Sequence, residues 1–187
     1  MPPKIKITKE EIVTAALELV RSSGEQAINA RAIAAHLNCS TQPVFSNFET
    51  MDHLRQAVIA AAYERDLGFI KQEVDSDKYP RYKAFGMAYI RFAGEEQELF
   101  KLLFMRDRTG EDLSPSLDFE ESARMIKESL GVSLETARLI HLENWAFVHG
   151  IGVMTATSFL PLEQELVSRM MTDVYQGIRA RYVAEEK

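Results

Sequence analysis

Between Asn29 and Asn47 the chain collects polar side chains of the kind that read or grip a nucleic acid: Asn29, Arg31, Ser40, Thr41, Gln42, Ser46 and Asn47. Glutamine can bond the edge of adenine at two points, and serine and threonine hydroxyls reach bases or phosphates. Arginine pairs with phosphate, which positions a protein on a duplex without reading its sequence. Arrangements for covalent chemistry are not apparent. No Ser/His/Asp or Cys/His set emerges, and the single cysteine, Cys39, falls inside the same polar stretch. His141 and His149 stand eight residues apart, too far for a shared metal on one helix, and no His/Cys/Asp/Glu group has convincing ligand spacing. The expectation is a binding protein rather than an enzyme, with no metal site and no cofactor.

The elements that must carry these residues are two short helices. Asn29 is a good N-cap, and Ile33, Ala34 and Leu37 then recur at helical spacing. Ser40 reads as a second N-cap, and Val44, Phe45 and Phe48 supply the next apolar face. Two short helices joined by a tight polar turn make a helix-turn-helix over Asn29–Phe48, whose second helix would enter a DNA groove. Ahead of it, Thr8-x-x-Glu11 is a capping box for a helix ended by Gly24, with Ile12, Ala16, Leu19 and Val20 on one face. Behind it, Thr50 caps a long helix to about Val74.

Further helices follow with no credible strand. One starts at Arg81 and is interrupted near Gly94; a second covers Leu99–Met105; a third starts at Ser114-Pro115 and ends near Gly131. Ser133 caps a long helix to about Phe159, and Pro161 begins the last, to about Val183. The fold class expected is all-α with about nine helices. The division expected is a DNA-binding part over 1–50, extended to about 63 by the fourth helix, and a ligand-binding and dimerisation part over 51–187.

In the later part, large soft apolar groups are plentiful. Phe85, Phe100, Phe104, Phe119, Met125, Trp145 and Met154 are candidates to line a pocket for an apolar or aromatic ligand. Core packing is the competing reading for each of them. Trp145 and His149, four apart, share a helix face and offer an aromatic wall and a polar anchor. Small residues at Gly150, Gly152, Thr155, Ala156 and Thr157 would let another helix approach closely, from this chain or a second copy.

Charge sets a limit on any contact with DNA. The net charge of −6 over 187 residues is unusual for a nucleic-acid partner. Through residue 60, however, Lys4, Lys6, Lys9, Arg21, Arg31 and Arg55 balance Glu10, Glu11, Glu18, Glu25, Glu49 and Asp52, so the excess acid lies beyond. A grip resting on charge alone would be weak. No apolar run approaches the ~20 residues that span a bilayer, and MPPKIKITKEE lacks the apolar core of a secretory signal. A lone cysteine suits a reducing compartment, so the expected location is cytoplasmic with no membrane partner.

The residues of Ile7–Tyr63 resemble the DNA-binding domain of TetR-family transcriptional regulators. The likeness rests on Ala15-Ala16-Leu17-Glu18-Leu19, Gly24, Arg31-x-Ile33-Ala34, Ser40, Val44-Phe45-x-x-Phe48 and Leu54. YIRFAGEEQELFKLLFM (89–105) and WAFVHGI (145–151) resemble the C-terminal subclass named for its Trp-His-Gly signature. The resemblance implies a homodimer joined through its last two helices and a dimeric repressor on a palindromic operator of double-stranded DNA. A small-molecule effector, taken as apolar or aromatic, would release it. DNA contacts are implied for Asn29, Arg31, Ser40, Thr41, Gln42, Phe45, Ser46, Asn47 and His53. The candidate ligand contacts, read from the residues themselves, are Phe85, Tyr89, Phe100, Phe104, Phe119, Met125, Trp145, His149 and Met154. Phe45 stands where the family usually has tyrosine, Met51 where it usually has lysine, and Asn38 where it usually has glycine. The first two changes remove phosphate contacts. They motivate the alternative expectation of a dimeric helical ligand-binding protein with weak or no operator recognition.

Overall fold

The computed structural model describes residues 7–107, 109 and 117–185. Lys4, Lys6 and the helix start expected at Ser114-Pro115 lie outside the described residues. Among those residues the chain forms nine α-helices, one 3₁₀ turn and no strand, as the sequence predicts for an all-α protein. The helices are α1 (Lys9–Ser23), α2 (Ala30–His36), α3 (Gln42–Asn47), α4 (Met51–Asp75) and α5 (Arg81–Glu95). They continue with α6 (Gln97–Phe104), α7 (Leu117–Leu130), α8 (Leu134–Ala156) and α9 (Gln164–Glu185).

Most helix ends follow from local chemistry. Thr8 Oγ1 accepts from the Glu11 N–H at 3.1 Å while the Glu11 carboxylate accepts from the Thr8 N–H at 2.7 Å, completing the capping box. Gly24 ends α1 at φ 82° and ψ 177°, a conformation essentially reserved for glycine. Asn29 caps α2 through the Ala32 N–H at 2.9 Å, and Ser133 caps α8 through the Thr136 N–H at 3.0 Å. At the start of α4, Thr50 Oγ1 accepts from the His53 N–H at 3.1 Å. Asn38 takes the left-handed conformation (φ 51°) that a glycine usually fills.

Several boundaries differ from the sequence reading. Helix α3 begins at Gln42 with Thr41 as the flanking residue, and no side chain caps it. A cap at Ser40 would have had Pro43 in the third helical position, where the N–H it needs is missing. The interruption expected near Gly94 falls instead at Glu96, whose backbone leaves helical geometry at φ −127° and ψ 54°. Helix α8 stops at Ala156, where Ser158 turns left-handed (φ 53°), and α9 starts only at Gln164.

The chain divides into two compact units. The first contains the described residues through Gly68 together with Glu95–Arg106, so it reaches past residue 50 and takes in α6. Its buried side chains include Ile12, Val20, Ile33, Val44, Phe48, Leu54, Val58, Leu99 and Phe100. Helix α6 packs on α1, and a buried carboxylate ties three elements of the unit together. Glu96, with a side chain only 4% exposed, receives Arg21 Nε at 2.6 Å and Arg21 Nη2 at 2.8 Å from α1. It also receives Arg65 Nε at 2.6 Å from α4. Two guanidinium groups therefore satisfy both oxygens, which is the condition for burying a carboxylate without a large penalty.

The second unit contains Phe69–Gly94 and the described residues from Asp107 onward. One core cluster unites Met87, Ile90, Val148, Ile151, Val167 and Met171, drawn from α5, α8 and α9. Another unites Ala123, Ile126, Val132, Ala137, Ile140 and Tyr182, around α7, α8 and α9. The small residues of α8 admit a helix of the same chain: a Cβ at Gly94 of α5 would lie 3.4 Å from Thr155 Cγ2.

Candidate functional site

In the first unit, α2 and α3 form the expected pair of short helices, and Ile33, Ala34 and Val44 bury their shared inner face. What α3 leaves outward is sharply limited. Ser46 Oγ donates to the Gln42 carbonyl at 2.8 Å, and Asn47 Nδ2 donates to the Pro43 carbonyl at 2.8 Å and the Ile7 carbonyl at 3.4 Å. Both polar groups are thus tied back to backbone. Gln42 stays exposed, and the Phe45 ring is 59% exposed on an otherwise polar surface. Thr41 is half-buried and Ser40 exposed.

Asn29 is exposed at the start of α2, yet its Oδ1 is engaged by the Ala32 N–H. Arg31 is exposed. Of the cations in this unit, Arg21 and Arg65 are held by Glu96, Arg55 by Glu25 and Lys101 by Glu98. Among the described residues Lys9 and Arg31 make no ion pair; Lys9 Nζ lies over the Phe48 ring at 5.0 Å. His53 is exposed and 3.8 Å from Glu49, a pair that exists only when the imidazole is protonated. Met51 is half-buried and lines an open cleft of about 540 Å³ with Glu25, Gln26, Ile28, Asp52 and Arg55. The two carboxylates at Glu25 and Asp52 make that cleft a poor seat for an anion.

The nine residues read as ligand-facing are divided between the two units. Phe100 and Phe104 belong to the first unit, where Phe100 is fully buried and Phe104 meets Tyr63 edge-on at 6.2 Å. Phe85, Tyr89, Phe119, Met125, Trp145, His149 and Met154 belong to the second. Three of those meet. Trp145 stacks on His149 with ring centroids 5.0 Å apart and planes 14° apart, and Trp145 is 43% exposed. Tyr89 Oη and His149 Nδ1 share a hydrogen bond at 2.7 Å, and burial lowers the histidine pKa, favouring the neutral ring. Tyr89 and Met154 also rest against the core cluster around Met87 and Val148.

A second polar group was missed by sequence reasoning. Tyr82 of α5, with His141 and Asn144 of α8, forms a buried hydrogen-bonded knot. Tyr82 Oη shares a hydrogen bond with His141 Nδ1 at 2.9 Å and accepts from Asn144 Nδ2 at 3.1 Å. Phe119 meets His141 edge-on at 4.5 Å, and Tyr175 lies 5.5 Å from Tyr82. Burial pushes His141 down to about 4 and raises the Tyr82 phenol well above its ordinary range, so both are neutral across the physiological range. Asn144 Oδ1 is buried and has no hydrogen-bond partner among the described residues. The i, i+3 spacing of His141 and Asn144 was the available signal, but Tyr82 lies too far off in sequence to be matched to it.

Among the described residues no group of His, Cys, Asp or Glu could hold a metal ion, and no helix is long and apolar enough to cross a membrane. Compared with known protein families and with curated proteins, the chain matches none of them.

Proposed function

We propose that this chain is a DNA-binding transcriptional regulator of the TetR type, acting as a homodimeric repressor on a palindromic operator. The observation that carries the reading is the outer face of the helix-turn-helix. There Gln42 and Phe45 project unengaged from α3, and Lys9 and Arg31 keep charges unneutralised in a unit whose other cations are largely paired. Unpaired cations beside an exposed short helix are what phosphate contact and base reading require. With few such cations the grip is light, and salt dependence is correspondingly shallow.

The second unit supplies the rest of the reading. Leu139, Leu142 and Trp145 leave apolar surface on α8, where the exposed Ala146 and Gly150 carry almost no side chain. A second copy packing there through α8 and α9 would make the homodimer, and a two-fold reader of this kind takes half-sites about 34 Å apart on the duplex. The neutral Tyr89–His149 pair beside the stacked Trp145 suits an uncharged aromatic effector. Such a molecule would release the operator by binding the DNA-incompetent arrangement more tightly. Helix α4 is the continuous element linking both units.

The test is a mobility-shift titration of the full chain against the DNA flanking its own gene. A specific, competable shift at low salt is expected. A complete absence of one would leave only a helical ligand-binding protein.

A further inference from the structure

Four of the six residues of α3 are accounted for by the fold. Val44 is in the core, Pro43 is half-buried with no N–H to offer, and Ser46 and Asn47 spend their polar atoms on backbone carbonyls. Gln42 and Phe45 remain, three residues apart and therefore on one side of the helix. Phe45 lacks a hydroxyl, so it offers a phosphate oxygen nothing. Its 59% exposed ring is an apolar contact surface surrounded by polar groups. In the major groove one apolar group stands out from the hydrogen-bonding edges: the C5-methyl of thymine.

We propose that Phe45 is a base-reading residue that recognises a thymine methyl, while Gln42 reads an adenine close to it, so that each operator half-site contains an A·T-rich step facing α3. The inference rests on the DNA-binding reading above and deepens it. Burial of one methyl against an aromatic ring is worth about a fourfold difference in affinity. That discrimination would not depend on salt, unlike the contribution of Arg31.

The experiment begins with selection of binding sites from a random duplex pool by the full-length protein. Each thymine of the winning duplex is then replaced singly by uracil, which removes the methyl and leaves pairing intact. One position in each half-site should lose about fourfold in affinity, and the loss should vanish in Phe45→Ala, whose exposed position leaves the fold unaltered. Phe45→Leu should retain an intermediate loss. Thymine-to-uracil changes that are silent everywhere, or equal in wild type and Phe45→Ala, would overturn the inference while operator binding stands. If selection enriches no sequence at all, the DNA-binding reading fails and this inference falls with it.

Discussion

Replacing Glu96 by glutamine keeps shape and one acceptor oxygen but removes the charge that holds Arg21 and Arg65. The carboxylate side chain is 4% exposed, whereas each arginine is 42% exposed. Breaking a fully buried pair costs about 3–5 kcal/mol, and an exposed one under about 1 kcal/mol. The half-exposed guanidiniums can recover water, so the expected loss lies between, at about 2 kcal/mol. For a chain of this size that corresponds to a fall in Tm of about 4–8 °C. Urea denaturation followed by far-UV circular dichroism measures it directly. A double-mutant cycle pairing Glu96→Gln with Arg21→Met should show coupling of about 1 kcal/mol, because the two residues share two hydrogen bonds. Replacing all three residues together, as Arg21→Met, Glu96→Leu and Arg65→Met, should restore most of the lost stability, since no charge is then left buried alone. A loss below about 0.5 kcal/mol for Glu96→Gln, or zero coupling in the cycle, would refute the view that this carboxylate binds α1, α4 and α6 together.

Asn144→Leu should destabilise the protein by about 1 kcal/mol, because the buried Tyr82 Oη loses its donor, a cost only partly offset by removing the unpartnered Oδ1; calorimetric melting checks the sign. His141 is held near pH 4 in the folded chain against its ordinary 6.5, so the unfolded chain binds the extra proton first as pH falls. Stability is therefore full above about 6.5 and declines down to about 4, by about 3 kcal/mol. In His141→Gln that part of the acid-side slope should disappear from denaturation curves taken across this window. Gly24→Ala forces a side chain into φ 82° and puts its Cβ 3.0 Å from a Glu98 carboxylate oxygen; a loss of about 2 kcal/mol in urea midpoint analysis is expected. Arg31→Ala should weaken DNA binding alike on all sequences and reduce the salt slope by about 1, read by fluorescence anisotropy over a salt series.

Helix number, fold class and most helix starts were legible in the sequence because they depend on neighbours three or four residues away. Thr8 with Glu11, Asn29 with Ala32, and Ser133 with Thr136 are such pairs. Even the stacking of Trp145 on His149 follows from their spacing on α8. Gln42 was within reach for the same reason, but Phe45, read with Val44 and Phe48 as one apolar face, is exposed while those two are buried. The isolation of Gln42 and Phe45 on α3 was not legible, since it depends on Asn47 turning back to Ile7 and Pro43.

What only the tertiary structure decided are the groups whose partners lie far along the chain. Nothing near Glu96 announces that Arg21 and Arg65 will neutralise it. Tyr82 and Asn144, 62 positions apart, meet only because α5 and α8 pack. The division into units was set likewise, because α6 joins α1 through packing that local periodicity does not encode. Periodicity and capping are short-range properties of one helix, read along a line. Burial of a charge, and the isolation of a side chain on a surface, depend on which other helices arrive beside it.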